Sequence, residues 1–246
     1  MTEGNGIERA ADLLVLARAH GETVNSLVGD LAPATLSDAY AVQDATLRRL
    51  GPVGGWKVAA KPHGEPRCAA LPALAIHQSG EKLSVPKSGY ELEVETAFVF
   101  GRRVRPGDDV LSSIRSVHLA IEVLGSRFAD RRSLHPLQPI ADMQSNAAIV
   151  VGPPVAEWED HDLATLTMDL RIDGAPIAAA QRHHSREQAV SLLSWLAAHS
   201  DSRGLPLDEG TVVITGARIG PLSLGAGRTA VANCAHWGAV AVNFAR

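Results

Sequence analysis

The stretch from residue 91 to residue 100 constrains the fold most, because carboxylates occupy every second position before the sequence becomes apolar. Successive side chains of an extended strand point to opposite faces of a sheet. The pattern therefore predicts a β-strand that buries its apolar face and presents a row of negative charge from the other. The charged face carries Glu91, Glu93 and Glu95, and the apolar face carries Leu92, Val94, Phe98 and Phe100.

A further carboxylate, Glu122, lies inside the apolar run of residues 117–124, which is typical of a buried strand. Glutamate is almost never fully buried without a partner, and adjacent carboxylates stay ionised only where a cation lies between them. The simplest partner for two strands with inward glutamates is a hard divalent cation, Mg²⁺ or Mn²⁺, which prefers oxygen ligands. The alternative is that the glutamates simply occupy the solvated face of an antiparallel sheet.

The composition indicates a globular protein that binds neither nucleic acid nor a membrane. Hydrophobic residues make up 46% of the 246 residues, and the net charge of −4 gives no basis for binding a polyanion. The two cysteines, Cys68 and Cys234, lack the spacing of a zinc site or a disulfide framework. Charges interrupt the first 21 residues, and no stretch is apolar enough to span a bilayer. We therefore expect a soluble, cytoplasmic protein.

Helical periodicity is found at the amino terminus and once more late in the chain. Apolar residues recur at helical spacing over residues 7–17, with Gly21 as the stop. A second helix is predicted to begin with Ser37 and Asp38 as cap and first turn and to close at Gly51, and a third to cover residues 185–199.

Short β-type runs bounded by glycine and proline fill most of the remaining sequence, and Asp173–Gly174 predicts a tight turn followed by a returning strand from Ala175. The order of elements predicts one α+β domain over residues 1–246, with a helical layer at 1–51 and a β-rich core at 52–246. The other predicted strands are at 55–59, 92–100, 116–124, 147–151, 166–172, 212–214 and 239–244.

Several charged residues could act beside the carboxylates. Lys57 lies in an otherwise apolar strand, where it could stabilise an enolate or move a proton, although these residues alone favour a strand-edge lysine that extends into solvent. Asp142 could cap a turn or orient Lys57 or a metal-bound water. In the charged loop that follows Glu122, an arginine such as Arg127 could bind a substrate carboxylate.

Other motifs give little support for a different chemistry. His183 and His184 have no metal-ligand partner at a suitable spacing and are expected at the surface. The glycines of the last third do not follow a phosphate-binding pattern, and Gly-x-Ser-x-Gly is missing, which argues against a nucleotide site and a serine hydrolase.

Taken together, these segments resemble the fumarylacetoacetate hydrolase superfamily, and more closely its branch of 2-keto-4-pentenoate hydratases and 4-oxalocrotonate decarboxylases. The resemblance covers nearly the whole chain. The matching segments are Asp38-Ala39-Tyr40-Ala41-Val42-Gln43, Gly55-Trp56-Lys57-Val58, Glu93-Val94-Glu95, Ile121-Glu122-Val123, Ser126-Arg127, the run from Ile140-Ala141-Asp142 through Ser145 to Gly152, Ser194-Trp195-Leu196-Ala197, Arg203-Gly204-Leu205-Pro206-Leu207 and residues 210–216.

The resemblance implies a mixed β-sheet or β-roll core of the type found in the superfamily's C-terminal domain, and a homo-oligomer. It implies Mg²⁺ or Mn²⁺ held by Glu93, Glu95 and Glu122, and a 2-oxo or 2-hydroxy-dienoic acid substrate bound through its C1 carboxylate and C2 oxygen. Lys57 would transfer the proton and Asp142 would orient it. The residues expected to contact substrate are Lys61, Arg127, Ser145 and Arg218.

The chain also departs from the branch's usual motifs, with Lys61 and Arg218 at positions where hydroxyl side chains are expected. These charges suggest a substrate with an additional anionic or polar group. The leading expectation is a hydratase, with a decarboxylase as the alternative. Two further alternatives are an acylpyruvate C–C hydrolase that uses His63 and Glu65, and an inactive partner subunit that keeps the fold.

Overall fold

The computed structural model describes residues 4–84, 89–180 and 184–245 of the chain. None of the helices in these three ranges has the length and apolar character that crossing a membrane requires. The described elements combine helices and mixed sheets, as the α+β prediction requires.

Two helices, α1 (Gly4–His20) and α2 (Leu36–Leu50), form the predicted helical layer. They are joined by ion pairs from Glu8 to Arg48 and from Asp12 to Arg49, 2.7 and 2.6 Å long. The predicted start of α2 at Ser37 and Asp38 is wrong by two residues. Thr35 is the N-cap because its hydroxyl accepts from the backbone of Asp38, whose carboxylate in turn accepts from the amide of Thr35.

The described residues form thirteen strands in two sheets, and every strand predicted from the sequence is present. The larger sheet has the order β2-β1-β10-β5-β6-β7-β3, with β11 also paired to β5, and the smaller has the order β4-β13-β12-β8-β9. The strands are β1 (Val53–Ala59), β2 (Arg67–Pro72), β3 (Ile76–Gln78), β4 (Lys82–Ser84), β5 (Glu91–Phe100), β6 (Ile114–Leu124), β7 (Asn146–Pro154), β8 (Met168–Ile172), β9 (Ala175–Ala180), β10 (Val212–Ile214), β11 (Ile219–Ser223), β12 (Thr229–Cys234) and β13 (Gly238–Ala245).

The larger sheet curls until its two edges nearly meet, because its outermost strands β2 and β3 are consecutive in the chain and separated only by a turn at Ala73–Ala75. Two glycines allow this close approach. A Cβ on Gly54 would lie 2.4 Å from the Cα of Ala73, and one on Gly55 would lie 2.8 Å from the side chain of Ile76. The curled sheet therefore has an inner face, on which Gly55 and Ile76 meet.

Two more helices complete the fold, α3 (Leu137–Ala141) and α4 (Arg186–Ser202). The start predicted for α4 is confirmed, since Ser185 caps it and forms a capping box with Gln188. Leu192, Leu193 and Leu196 form its buried stripe. The short helix α3 lies between β6 and β7 in the chain, and its residues form one wall of the cavity described next.

Candidate active site

Three glutamates converge on the inner face of the curled sheet. The antiparallel register of β5 and β6 places Glu93 directly opposite Glu122, and Glu95 lies one step along β5 on the same face. One carboxylate oxygen from each of the three lies within 4.8 Å of the others. The sequence-based prediction that these side chains share a face is therefore confirmed.

The cluster concentrates negative charge where little water can screen it. Glu122 is fully buried and Glu95 is 2% exposed. Burial, followed by repulsion from Glu122, raises the pKa of Glu93 to about 7. Burial and the charges of Glu122 and Glu93 raise the pKa of Glu95 well above its usual value. Like charges directly opposite each other on neighbouring strands destabilise a sheet, so the cluster without a counter-ion is unfavourable.

Lys57 neutralises part of this charge. Its Nζ atom donates to both carboxylate oxygens of Glu122, at 2.6 and 2.8 Å. Burial opposes the ammonium charge, but the carboxylates of Glu122, Glu93 and Glu95 outweigh it and raise the pKa of Lys57. Asn146 adds a hydrogen bond of 2.8 Å from Nδ2 to Glu122. Lys57 therefore stays protonated near neutral pH and holds Glu122 in place.

The remaining charge fits a divalent cation. After Lys57 is paired with Glu122, two further carboxylates are left without a cationic partner in the described part of the chain. All three side chains offer oxygen ligands, which Mg²⁺, Mn²⁺ and Ca²⁺ prefer over nitrogen and sulfur sites. The donor set and its uncompensated charge are those of a hard-metal site with an open coordination sphere.

The chain leaves the sheet between β10 and β11, and this gap lies beside the glutamate cluster. Strand β10 pairs with residues 97–99 of β5, whereas β11 pairs with the opposite half of β5 from Val94. Between them the chain leaves the sheet at Gly216, whose φ of 108° favours glycine. The amide of Gly216 donates to Glu95 Oε2 at 2.6 Å, which orients that carboxylate.

Lys57, Glu93 and Glu95 border a cavity of about 510 Å³, a volume typical of small-molecule sites. These three residues line its floor, and apolar residues of and around α3 line a wall. Its remaining charged or polar lining residues are Lys61, Arg67, Arg131 and Gln144. The structure therefore places Lys61 beside the cluster, and its contact with substrate stays a prediction.

The prediction that Asp142 orients Lys57 is not supported, because Asp142 is paired elsewhere. Its carboxylate accepts hydrogen bonds from Ser126 Oγ and the amide of Arg127, each 3.1 Å long, and from Arg127 Nε. Burial raises the pKa of Asp142, and the adjacent Arg127 charge opposes that shift. Asp142 therefore stabilises the segment before β7, and Lys57 is held by Glu122.

The structure also places Arg127 away from this cavity, in the ion pair with Asp142. Arg127 is 5% exposed, and its remaining nitrogens donate to the backbone carbonyls of Gly125, Asn146 and Asp142, each at 2.7 Å. It does not line the cavity, whereas Arg131 of the same loop does. The loop thus brings an arginine to the site, but at a different position.

Two other predicted substrate contacts also lie away from the cavity. Ser145 is fully buried and is not part of the lining. Arg218 is 3% exposed, and its guanidinium bonds to Thr96 Oγ1 at 3.3 Å, on the face of β5 opposite the glutamates. Alternation along β5 explains the difference, because Thr96 follows Glu95 directly.

The histidines considered in the sequence differ in their exposure to solvent. His63 and Glu65, the pair considered for C–C hydrolysis, are exposed and do not line the cavity. His184 is partly buried, and a Cβ on Gly216 would lie 3.0 Å from its ring, so the expected surface position is not observed. Burial lowers the pKa of His184. The prediction for His183 falls outside the described residues.

Gln144 is a site residue that sequence reasoning missed. Met143, Gln144 and Ser145 all have positive φ, between 48° and 63°, which is rare for three successive non-glycine residues. This turn directs the Gln144 carbonyl toward Lys57 Nζ, 3.4 Å away. Gln144 lines the cavity, and its buried side-chain Nε2 has no hydrogen-bond partner among the described residues. Residues 142–146 contain no glycine that would signal such a turn.

Comparisons with known proteins show the family and the fold of the chain. The family model "Fumarylacetoacetate (FAA) hydrolase C-terminal" matches residues 40–244. The chain is 28% identical over 244 residues to a 2-keto-4-pentenoate hydratase of Burkholderia vietnamiensis, covering 90% of each protein. It is 27% identical over 239 residues to the TodF product hydratase of Pseudomonas putida, covering 88% of this chain and 86% of the relative.

Among solved structures, the fold resembles that of 4-oxalocrotonate decarboxylase from Pseudomonas putida G7, complexed with magnesium and adipate. The TM-score is 0.84 and the sequence identity 20%, with 100% of this chain and 99% of the other covered. A second structure of the same decarboxylase, complexed with calcium and acetate, gives a TM-score of 0.83.

Proposed function

Since the chain belongs to the fumarylacetoacetate hydrolase C-terminal family, we propose that it is a divalent-metal-dependent hydratase of a 2-oxo or 2-hydroxy-dienoic acid. The observation that carries this proposal is the convergence of three glutamates and one lysine at the floor of an open cavity. The names of the hydratase relatives support the reaction class.

Glu93, Glu95 and Glu122 would hold Mg²⁺ or Mn²⁺, each through carboxylate oxygen. A bound divalent ion would stabilise the negative charge that develops on the C2 oxygen when a 2-oxo acid enolises. The protein fixes the three ligands from two neighbouring strands, and the Gly216 amide keeps one of them in orientation.

Lys57 would act as an electrostatic group and a proton donor. Its raised pKa keeps the proton on Nζ at neutral pH, so it enters the reaction as an acid. The ammonium can donate to the developing enolate oxygen or deliver a proton to the carbon chain. Glu122 holds Nζ in position through two hydrogen bonds.

The test follows the loss of dienoate absorbance in purified protein supplied with Mg²⁺. We expect turnover of a 2-hydroxydienoate by the wild type and a loss of roughly 100-fold or more in kcat for Lys57→Met. Lys82→Met, an exposed lysine of β4, is the matched control and should retain activity. Absence of turnover with every dienoic acid tested, together with no divalent-ion binding, would reject the proposal.

Decarboxylation is the second candidate, and the basic residues of the cavity favour it. Lys61, Arg67 and Arg131 line the cavity together with the carboxylate cluster, so a substrate with a second carboxylate could be accommodated. Released carbon dioxide distinguishes this reaction from hydration of the same acid. C–C hydrolysis is disfavoured by the position of His63 and Glu65 outside the cavity lining.

A homo-oligomer and a cytoplasmic location remain part of the proposal. The homo-oligomer is proposed from the resemblance to the superfamily's hydratases and decarboxylases. Light scattering after gel filtration measures the assembly, and a monomeric mass would contradict it. Cell fractionation tests the compartment.

A further inference from the structure

Another cavity opens at the opposite end of the curled sheet's inner face. Its volume is about 610 Å³, and among the described residues it shares none of its lining with the cavity beside the glutamates. Ser116 and His118 of β6 line it. They lie six and four residues before Glu122. Alternation therefore puts both on the inner face, about 20 and 13 Å along the strand from Glu122.

Ser116 and His118 form a hydrogen-bonded pair. Ser116 Oγ lies 2.8 Å from His118 Nε2, and His118 Nδ1 lies 2.9 Å from the carbonyl oxygen of Gly152. A carbonyl oxygen can only accept a hydrogen bond, so Nδ1 carries the proton of the neutral ring. Nε2 is then left as an acceptor, and the Ser116 hydroxyl donates to it. In this arrangement a histidine can take the proton of a serine nucleophile.

Two β-bulges flank the pair and bring further groups to it. In the ladder between β5 and β6, Arg115 has no partner on β5. Between β6 and β7, Gly152 and Pro153 together stand opposite Leu119. Bulges redirect side chains and are frequent beside active sites. The first bulge lets Arg115 line the cavity next to the serine, and the second contains the carbonyl that holds the histidine ring.

The exposure of the pair suits an acyl-transfer site. His118 is 8% exposed, whereas Ser116 is partly exposed at the cavity. The base is therefore held by its surroundings while the hydroxyl can be reached. Apolar side chains make up much of the remaining wall, among them Ile76, Val151 and Val212, and they favour an apolar acyl group. A serine nucleophile is recognised by its geometry, so the missing Gly-x-Ser-x-Gly motif excludes one framework for it and no more.

We propose that Ser116 and His118 form a catalytic site, separate from the glutamate cluster, that hydrolyses carboxylic esters with a small apolar acyl group. Ser116 Oγ attacks the ester carbonyl while His118 Nε2 takes the hydroxyl proton, and Arg115 stabilises the oxyanion. The bond to the alcohol oxygen breaks, and Nε2 gives that oxygen the proton.

Water completes the reaction. Nε2 takes a proton from a water molecule, whose oxygen attacks the acyl carbonyl and displaces Ser116 Oγ. The serine oxygen recovers the proton from His118, and the carboxylic acid leaves. One ester and one water thus give one acid and one alcohol, and the enzyme returns to its starting state without a metal ion.

Labelling with a fluorophosphonate in EDTA tests the site, because an activated serine displaces fluoride and keeps the phosphonyl group. Tandem mass spectrometry should locate the label on Ser116 of the wild type. Ser116→Ala should lose this label, and His118→Gln should slow labelling roughly 100-fold. Hydrolysis of p-nitrophenyl acetate should fall in the same two variants, and by roughly tenfold in Arg115→Met.

Ser112→Ala is the matched control, since Ser112 is exposed in the turn before β6 and does not line the cavity. It should keep the wild-type rates of labelling and hydrolysis. Absence of a label on Ser116, or hydrolysis by Ser116→Ala at the wild-type rate, would overturn the proposal. Ser116→Ala should retain turnover of a dienoic acid with Mg²⁺, so the ester assay and the dienoate assay can fail independently.

Discussion

Replacing Glu93 by glutamine should make the metal-free protein more stable, although it removes a proposed metal ligand. The pKa of Glu93 rises from 4.5 to about 7 on folding, so the folded protein binds the proton more tightly than the unfolded chain. Protonated Glu93 therefore contributes its full stabilisation of the folded state below about pH 4.5. This contribution is lost as the pH rises through 7. The difference of about two and a half pKa units corresponds to roughly 3 kcal/mol at pH 8.

Glutamine keeps the shape of glutamate and removes the repulsion with Glu122. Part of the 3 kcal/mol is screened by solvent in the open cavity, so we expect Tm to rise by about 3 to 6 °C. The assay is thermal unfolding of Glu93→Gln and wild type at pH 8 in EDTA. At pH 5 the gain should shrink toward zero, because Glu93 of the folded wild type is then already protonated.

Glu122→Gln is the matched control, since Glu122 lies directly across the strands from Glu93. It should lower Tm, because it takes the charged partner from Lys57, whose side chain is 11% exposed. Breaking a buried ion pair in this way costs roughly 3 to 5 kcal/mol.

Addition of Mg²⁺ should raise the Tm of the wild type and leave that of Glu93→Gln nearly unchanged. A lower Tm for Glu93→Gln than for wild type at pH 8 in EDTA would refute the reasoning.

Three other predictions concern the site and its support. Because the raised pKa of Glu93 lets protons compete with metal, Mn²⁺ affinity should fall by roughly tenfold per pH unit below about pH 7, and calorimetry that shows equal affinity at pH 6 and 8 would contradict this. Asp142→Asn leaves Arg127 buried without its anion and should lower the free energy of unfolding in urea by about 3 to 5 kcal/mol, whereas a loss below 1 kcal/mol would argue against a structural ion pair. Ser185→Ala removes the cap of α4 and should cost about 1 kcal/mol, with faster amide exchange confined to its first turn.

Local patterns were sufficient to predict the strands and helices whose two faces differ. The carboxylates of β5 alternate with buried apolar residues, and a glutamate inside the apolar run of β6 signals a buried partner. Strand β2 gives no such contrast, since residues 68–72 are buried throughout and it contains two alanines. Strands β3 and β4 contain only three residues each, too few for a recognisable period.

The partners of the buried charges depend on the tertiary fold and could not be predicted in the same way. The sequence led us to expect Asp142 as a turn cap or a partner of Lys57 and Arg127 as a substrate contact. Their pairing with each other arises from the path of the chain before β7. Likewise, Arg67 contributes to the cavity only because β2 pairs antiparallel with β1, and β2 was not predicted. The glutamate cluster could be predicted from the sequence, because alternation alone fixes which residues of β5 share a face.

Divalent-ion binding tests the central claim most directly. Titration of the EDTA-treated protein with Mn²⁺, followed by electron paramagnetic resonance of the free ion, gives the number of sites per chain. We predict one site in the wild type and none in Glu95→Gln, with both proteins showing the same circular dichroism. A wild type that binds no Mn²⁺, or a Glu95→Gln variant that binds it as tightly, would contradict the account.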